Sequence, residues 1–364
     1  MKHTRSSPRN CLKSLLSECG RPRPQQCPTS NRSRFLGRPS QCYVAAPEDG
    51  RTPSESVSSP KCIFRQSLNC FGLLAIAALA LVVGTSSSLA QTKPKHVLVV
   101  TTTAGFRHSC IPTMEKTISE MAKQSGVFTV EIAGLDTGTA EYKGADGKPD
   151  AAKIKAAIAV VLADKMSAAA MKTYDAVIFA NTTGNLPLPD PQAFVDWVKS
   201  GKGFVGVHAA TDTFPGFRPY IEMIGGEFKT HGAQVSVDVI NQDKQFPACN
   251  HLPATWTVFD EIYQLKNFER TNVHGLLTLD KHPNDKSPGD YPVAWCSNYG
   301  KGRVFYTSLG HREDVWDANY KDGKGERKNS PEVAEAFQKH LLNGIKWALG
   351  LEKGDATPQT AKSL

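Results

Sequence analysis

The sequence predicts an α/β domain on a doubly wound, mostly parallel sheet, with a β-rich extension in its C-terminal half. Three observations carry this. Short continuous apolar runs recur along residues 95–208, as expected of parallel strands buried on both faces. Helical stretches separate them, the alternation that builds parallel sheets. From Gln234 the pattern changes to a two-residue alternation and short strands.

In chain order, Lys95–Thr101 (KHVLVVT) predicts the first strand, followed by a loop to His108 and a helix over Pro112–Gln124. Phe128–Ile132 is the second strand, Glu141–Asp150 a polar loop and Ala151–Leu162 an Ala-rich helix. Tyr174–Ala180 (YDAVIFA) is the third strand. The helix Pro191–Ser200 opens on proline, whose missing N–H costs little in the first turn. Phe204–His208 (FVGVH) is the fourth strand. Gln234–Ile240 (QVSVDVI) alternates, as a half-exposed strand does, and Ile262–Leu265, Leu276–Leu279 and Val293–Cys296 are further short strands. Arg303–Ser308 (RVFYTS) returns to a buried run. Pro331–Leu349 is an amphipathic helix with Val333, Phe337, Leu341, Ile345 and Ala348 on one face. From Glu352 the chain turns polar and is expected to fray. The expected organisation is an N-terminal segment 1–90, a domain over 91–350 and a tail over 351–364.

Residues 1–60 are rich in Ser, Pro, Arg and Asn without apolar periodicity, which predicts disorder. Lys61 and Arg65 then precede the apolar run Phe71–Val83, and small residues Ser88 and Ala90 bracket a cut before Gln91. That is the pattern of a secretory signal peptide. The apolar run is 13 residues long, short of the ~20 needed to span a bilayer. The expected mature protein is exported, periplasmic or secreted, with no stable membrane span after cleavage.

The chain has 43 Lys and Arg against 35 Asp and Glu, a net charge of +8. The first ninety residues carry the whole excess, so the domain itself is balanced. Nucleic acid is therefore not expected as a partner. Three cysteines, Cys110, Cys249 and Cys296, follow residue 90; they form no CxxC pair and read as free thiols. Nothing in the sequence fixes an oligomeric state.

Ligands of open α/β sheets bind beyond the carboxyl ends of the parallel strands. Arg107 and His108 follow the first predicted strand; Asn181, Thr182 and Thr183 follow the third. His208 ends the fourth, with Thr211 and Asp212 after it. His311, Arg312 and Glu313 follow Arg303–Ser308. Three histidines, His108, His208 and His311, thus stand at matching ends of separate strands and should converge if the sheet is parallel.

The motifs GFRH (Gly105–His108), GFVGVHAATDT (Gly203–Thr213), GGEFKTH (Gly225–His231), DEIY (Asp260–Tyr263), PVAW (Pro292–Trp295) and YGKGRVFYTSLGH (Tyr299–His311) occur in order along the chain. Together they resemble the ThuA-like, trehalose-utilisation family, over about Lys95 to Gly350. The resemblance implies a flavodoxin-like fold akin to the class I glutamine amidotransferases. Those enzymes carry a nucleophilic Cys on a sharp turn after the strand aligned with Phe204–Val207, and a His-x-Glu pair after a late strand. Here His208 takes the Cys position, while His311 and Glu313 match the other two. Without the thiol, the acyl-enzyme route of glutamine hydrolysis is lost.

The resemblance also implies a sugar substrate, associated with 3-keto-sugar chemistry. A ketone acidifies the neighbouring C–H, and histidine is the residue whose pKa suits moving that proton. The expected roles are proton transfer by His208 or His311, with Glu313 orienting His311. Arg107 and His108 would stabilise the enolate oxygen. Asn181, Thr182, Thr211, Asp212 and Glu261 would bind the sugar. A second enzyme reading is a metal-dependent sugar hydrolase or lyase, with a divalent metal such as zinc on His108, His208 and His231, and Glu227 or Asp212 as carboxylate ligand, polarising the carbonyl. A third is a non-catalytic carbohydrate-binding module using Trp256, Tyr263, Trp295 and Trp316.

Overall fold

The computed structural model describes residues 93–359, all within one compact unit. The signal-peptide pattern lies outside the described residues. Chain order gives β1 (Lys95–Val100), α1 (Ile111–Ser125), β2 (Phe128–Ala133), α2 (Ala151–Lys165), the single-turn α3 (Ala168–Met171), β3 (Ala176–Ala180), α4 (Pro191–Lys199) and β4 (Gly203–Val207). Then come α5 (Arg218–Ile224), β5 (Glu227–His231), β6 (Val235–Asn241), β7 (Thr255–Asp260), β8 (Tyr263–Lys266), β9 (His274–Lys281), β10 (Pro288–Tyr299) and β11 (Gly302–Thr307). Helices α6 (Glu313–Trp316) and α7 (Pro331–Ala348) close the domain.

Nine strands form one sheet in the order β2-β1-β3-β4-β11-β10-β9-β6-β7. The first five are mutually parallel. The β-rich segment continues this same sheet: β10, β9, β6 and β7 add antiparallel strands to its edge. Strands β5 and β8 pair separately as a two-stranded ribbon.

The sheet is covered on both faces because its central strands carry continuous buried runs, Val97–Val100 in β1, all of β3 and β4, and Val304–Thr307 in β11. Along β1, Val97 and Val99 join one core with α1 and α7, while Leu98 and Val100 join the other with α2 and α4. In β3, Ala176 and Ile178 turn one way, Val177 and Phe179 the other. Each fully buried Val, Leu, Ile or Phe contributes about 1.5–3 kcal/mol of transfer free energy. Helix α7 lies close on β11; a Cβ at Gly344 would sit 2.5 Å from the Phe305 ring. Cys110, Cys249 and Cys296 are free and buried. Among the described residues no helix is long and apolar enough to cross a membrane.

Four features depart from expectation. The fourth strand stops at Val207, and His208 begins a 3-10 turn through Asp212. Strands β5 and β7 and helix α5 form in segments where no element is expected from the sequence. β10 is longer than the run Val293–Cys296. The tail does not fray, at least as far as Gln359. Arg303 Nη1 donates to the Glu352 carbonyl at 3.2 Å, His274 Nδ1 lies 2.9 Å from the Thr357 carbonyl, and Gln359 N donates to Val273 at 3.1 Å. Ala356, within this strap, is itself buried against the core.

Candidate active site at the carboxyl ends of the parallel strands

The register aligns the ends of the central strands. Val100 of β1 stands opposite Phe179 of β3, Ala180 opposite Val207 of β4, and Val207 opposite Thr307 of β11. The loops that follow therefore rise from one edge, and they bring His108, His208 and His311 together. The three rings are mutually edge-to-face, with centroids 5.0, 5.1 and 5.2 Å apart.

His208 sits on the sharp turn after β4 with φ at +47°, a left-handed conformation unfavourable to a side chain. Its surroundings hold it there. Nδ1 lies 2.7 Å from the Ser308 carbonyl, and the Tyr306 hydroxyl donates to the His208 carbonyl at 2.8 Å. A carbonyl only accepts, so Nδ1 carries the proton and Nε2 is left with a lone pair. Nε2 faces Nδ1 of His311 at 3.3 Å. Burial, then the charges of His108 and His311, push the His208 pKa well below its ordinary value.

His311 follows Gly310, whose φ of +115° suits glycine. Asp260, the last residue of β7, fixes this loop: its carboxylate accepts from Gly310 N at 2.7 Å and His311 N at 3.4 Å. Burial lifts the Asp260 pKa to about 6 against those hydrogen bonds. The next residue, Glu261, completes the cluster. Its Oε1 lies 3.3 Å from His311 Nδ1 and 3.7 Å from His208 Nε2, and its Oε2 lies 2.9 Å from His231 Nδ1. Burial pushes the His311 pKa down, but the hydrogen bond and charge of Glu261, then Asp260 and Glu313, raise it overall.

His108 is 3% exposed, and its Nδ1 is buried without a hydrogen-bond partner. Burial, followed by the His311 charge, lowers its pKa to about 4. His108, His208, Glu261 and His311 each offer a ligand atom within 4.8 Å of the others.

The cluster borders a cavity of about 310 Å³ lined by Phe106, His108, Thr183, Asp212, Phe228, His231, Glu261, Tyr263 and His311. The ribbon β5–β8 supplies Phe228, His231 and Tyr263. Tyr263 packs on His208 with centroids 4.3 Å apart.

Other expected site residues serve the walls instead. Asn181 Nδ2 donates to Cys110 Sγ at 2.9 Å and to the Gly310 carbonyl at 3.1 Å, tying three loops together. Thr182 is spent on Thr213 at 2.7 Å and Thr211 on Tyr306 at 3.2 Å, all buried. Glu227 accepts from Gly216 N, Asn267 and Lys266, and stands outside the metal-capable group. Arg107 lines a different depression with Glu115 and Asp136. Glu313 forms no hydrogen bond or ion pair with His311; the neighbour in that role is Glu261. Asp212 does line the cavity, its pKa raised by burial and then by Glu227. Of the four aromatics considered as a sugar platform, Trp295 and Trp316 are fully buried and Trp256 is 6% exposed; only Tyr263 reaches the cavity. Asp260 stands within DEIY, where nothing in the sequence marks it for the His311 loop, and Phe106 and Phe228 carry no polar signal.

A family model described as trehalose utilisation, ThuA, matches residues 96–322. A ThuA-like protein of Parabacteroides merdae shares the fold, at 20% identity and a TM-score of 0.51 over 74% of this chain and 94% of that one. One from Bacteroides uniformis is similar at 20% identity and a TM-score of 0.48, over 73% and 95% of the two chains. No curated protein matches the sequence. With the family model spanning well over half of the chain, this protein belongs to the ThuA family.

Proposed function

We propose that the cavity is the active site of an exported carbohydrate enzyme that isomerises or epimerises a keto-sugar by moving a proton beside its carbonyl. Export rests on the signal-peptide pattern before Gln91. The reaction rests on one observation above all: three histidines and a glutamate converge within 4.8 Å beside a cavity of sugar size.

His311 is oriented by Glu261 and has its basicity raised by it, so it moves the proton. His208 presents a lone pair to His311, and its turn is fixed by Ser308. His108, neutral by burial, faces the carbonyl oxygen. Thr183 and Asp212 on the wall meet the sugar hydroxyls. The proton removed from carbon returns to the neighbouring carbon or to the opposite face, so no redox reagent is consumed. Solvent deuterium should enter the carbon beside the ketone of a 3-keto-glycoside. Bound substrate without incorporation overturns the reaction.

A second reading places a divalent cation such as zinc on His108, His208, His311 and Glu261. Three imidazoles and a carboxylate are a suitable donor set, and the unpartnered His108 Nδ1 favours it. The cation would polarise the carbonyl, and His231, whose Nδ1 lies 2.9 Å from Glu261 Oε2 and whose side chain is 45% exposed, would move the proton. Elemental analysis of protein purified without an affinity tag selects between the two. Glutamine hydrolysis is not proposed. His208 stands on the nucleophile turn, and burial, then the Glu313 and Asp260 charges, push the pKa of nearby Cys110 far up.

A further inference from the structure

Four large hydrophobic side chains are exposed among the described residues, and Phe106 is the one aromatic among them, at 66% exposure. It stands on the β1–α1 loop and lines the cavity. An exposed aromatic on a mobile loop would mean little, but this loop is clamped. Thr183, itself buried, donates its hydroxyl to the Phe106 carbonyl at 2.8 Å, and Ala104 N donates to the Thr183 carbonyl at 2.9 Å. The two loops approach so closely that a Cβ on Gly184 would lie 3.0 Å from Gly105 N. The edge-to-face contact with His108, at 4.9 Å between centroids, sets the ring's place relative to the cluster. The backbone is thus fixed while most of the ring faces solvent.

Cavity size gives this ring a use. At about 310 Å³, the cavity lies near the lower bound of roughly 300 Å³ for small-molecule pockets. A cavity of that size suits a ligand at the small end of that range. Phe228 and Tyr263 already supply apolar surface inside it. A longer ligand extends from the cavity toward its opening, where the exposed Phe106 ring stands.

We propose that Phe106 is a specificity-determining residue, forming a second subsite at the cavity mouth on which the apolar face of a second sugar ring stacks. The substrate class is then a disaccharide or longer glycoside, held by one ring in the cavity and by the next against Phe106. The proposal rests on the carbohydrate reading of the cavity and adds the polarity of the chain and its minimum length.

Calorimetric titration of the purified chain with 3-keto-glucose and with 3-keto-trehalose tests it, read as the ratio of the two dissociation constants. The unsubstituted protein should prefer the disaccharide by about three- to tenfold, the range of an aromatic stacking contact. In Phe106→Ala that ratio should collapse toward one, and Phe106→Trp should retain it. Equal binding of both sugars by the unsubstituted protein, or an unaltered ratio in Phe106→Ala, overturns the subsite while leaving the carbohydrate reading standing. Failure of the unsubstituted protein to bind either sugar overturns both. If Phe106→Ala does not fold, Phe106→Leu provides the same comparison, since it keeps apolar bulk without a ring face.

Discussion

The carboxylate of Glu261 lies 3.3 Å from Nδ1 of His311, joining the end of β7 to the loop after β11. Glu313, two residues beyond His311, has no such contact. The two glutamates should therefore behave differently on substitution. Glu261→Gln should lower turnover by about 10²-fold or more, the usual scale for a positioned proton-transfer group. Glu313→Gln should cost less than about threefold, because its influence on His311 is a through-space charge. Rates of deuterium exchange into a 3-keto-glycoside measure both. A larger loss in Glu313→Gln would reassign the pairing.

Cation binding has a signature that needs no substrate. If His108, His208, His311 and Glu261 hold zinc, zinc at a hundred times its Kd adds about 2.7 kcal/mol to stability. For a domain of this size that raises Tm by roughly 5–10 °C. A chelator should reverse the shift, and His108→Ala should abolish most of it. Identical zinc responses in the unsubstituted protein and His108→Ala would place the ion elsewhere.

His340 makes a separate pH prediction. It is buried in α7, with Nδ1 2.8 Å from the Ala248 carbonyl. Burial lowers its pKa to about 4, against 6.5 unperturbed. Between those values the unfolded chain binds a proton that the folded chain refuses. Its contribution is therefore complete above pH ~6.5 and declines as pH falls toward ~4, by about 1.4 kcal/mol per unit. His340→Gln should flatten the acid slope of urea-unfolding free energy by about one proton's worth. An unchanged slope would mean that His340 already titrates normally in the folded state.

Much of this architecture is legible in the residues, for physical reasons. β1, β3, β4 and β11 are buried on both faces, so their apolar runs are unbroken, and parallel pairing then aligns the histidines that follow three of them. From the sequence Glu261 reads as a sugar-binding residue, since nothing there shows that β7 pairs with β6 and delivers it beside His311. The strand itself, TWTVFD, alternates, but it ends inward on a buried aspartate, which interrupts the apolar pattern. β5 reads EFKTH, mostly exposed, and is a strand only through its pairing with β8. Its His231 and Phe228 therefore reach the site by tertiary contact alone. Glu227 shares that strand yet is taken up by Lys266 and Asn267, a choice among near neighbours that spacing cannot decide.

The tail gives the last prediction. Polar and without periodicity, it reads as a frayed end, yet its backbone carbonyls satisfy side chains of the sheet and α7. Arg303 donates to Glu352, Trp347 Nε1 donates to Gly354 at 3.3 Å, and His274 bonds Thr357. Gly354 passes so near Phe246 that a Cβ there would lie 2.7 Å from the ring. Ending the chain at Gly350 would expose Phe246 and Trp347 and strip partners from Arg303 and His274. The expected loss is about 2–4 kcal/mol, from a few hydrogen bonds and the newly exposed apolar surface. None of these residues lines the cavity, so the truncated protein should keep its turnover at 25 °C while its Tm falls by roughly 5–10 °C. Thermal unfolding beside steady-state rates measures this. An unmoved Tm would show that the strap adds nothing to stability, and a lost rate at full stability would tie it to the site.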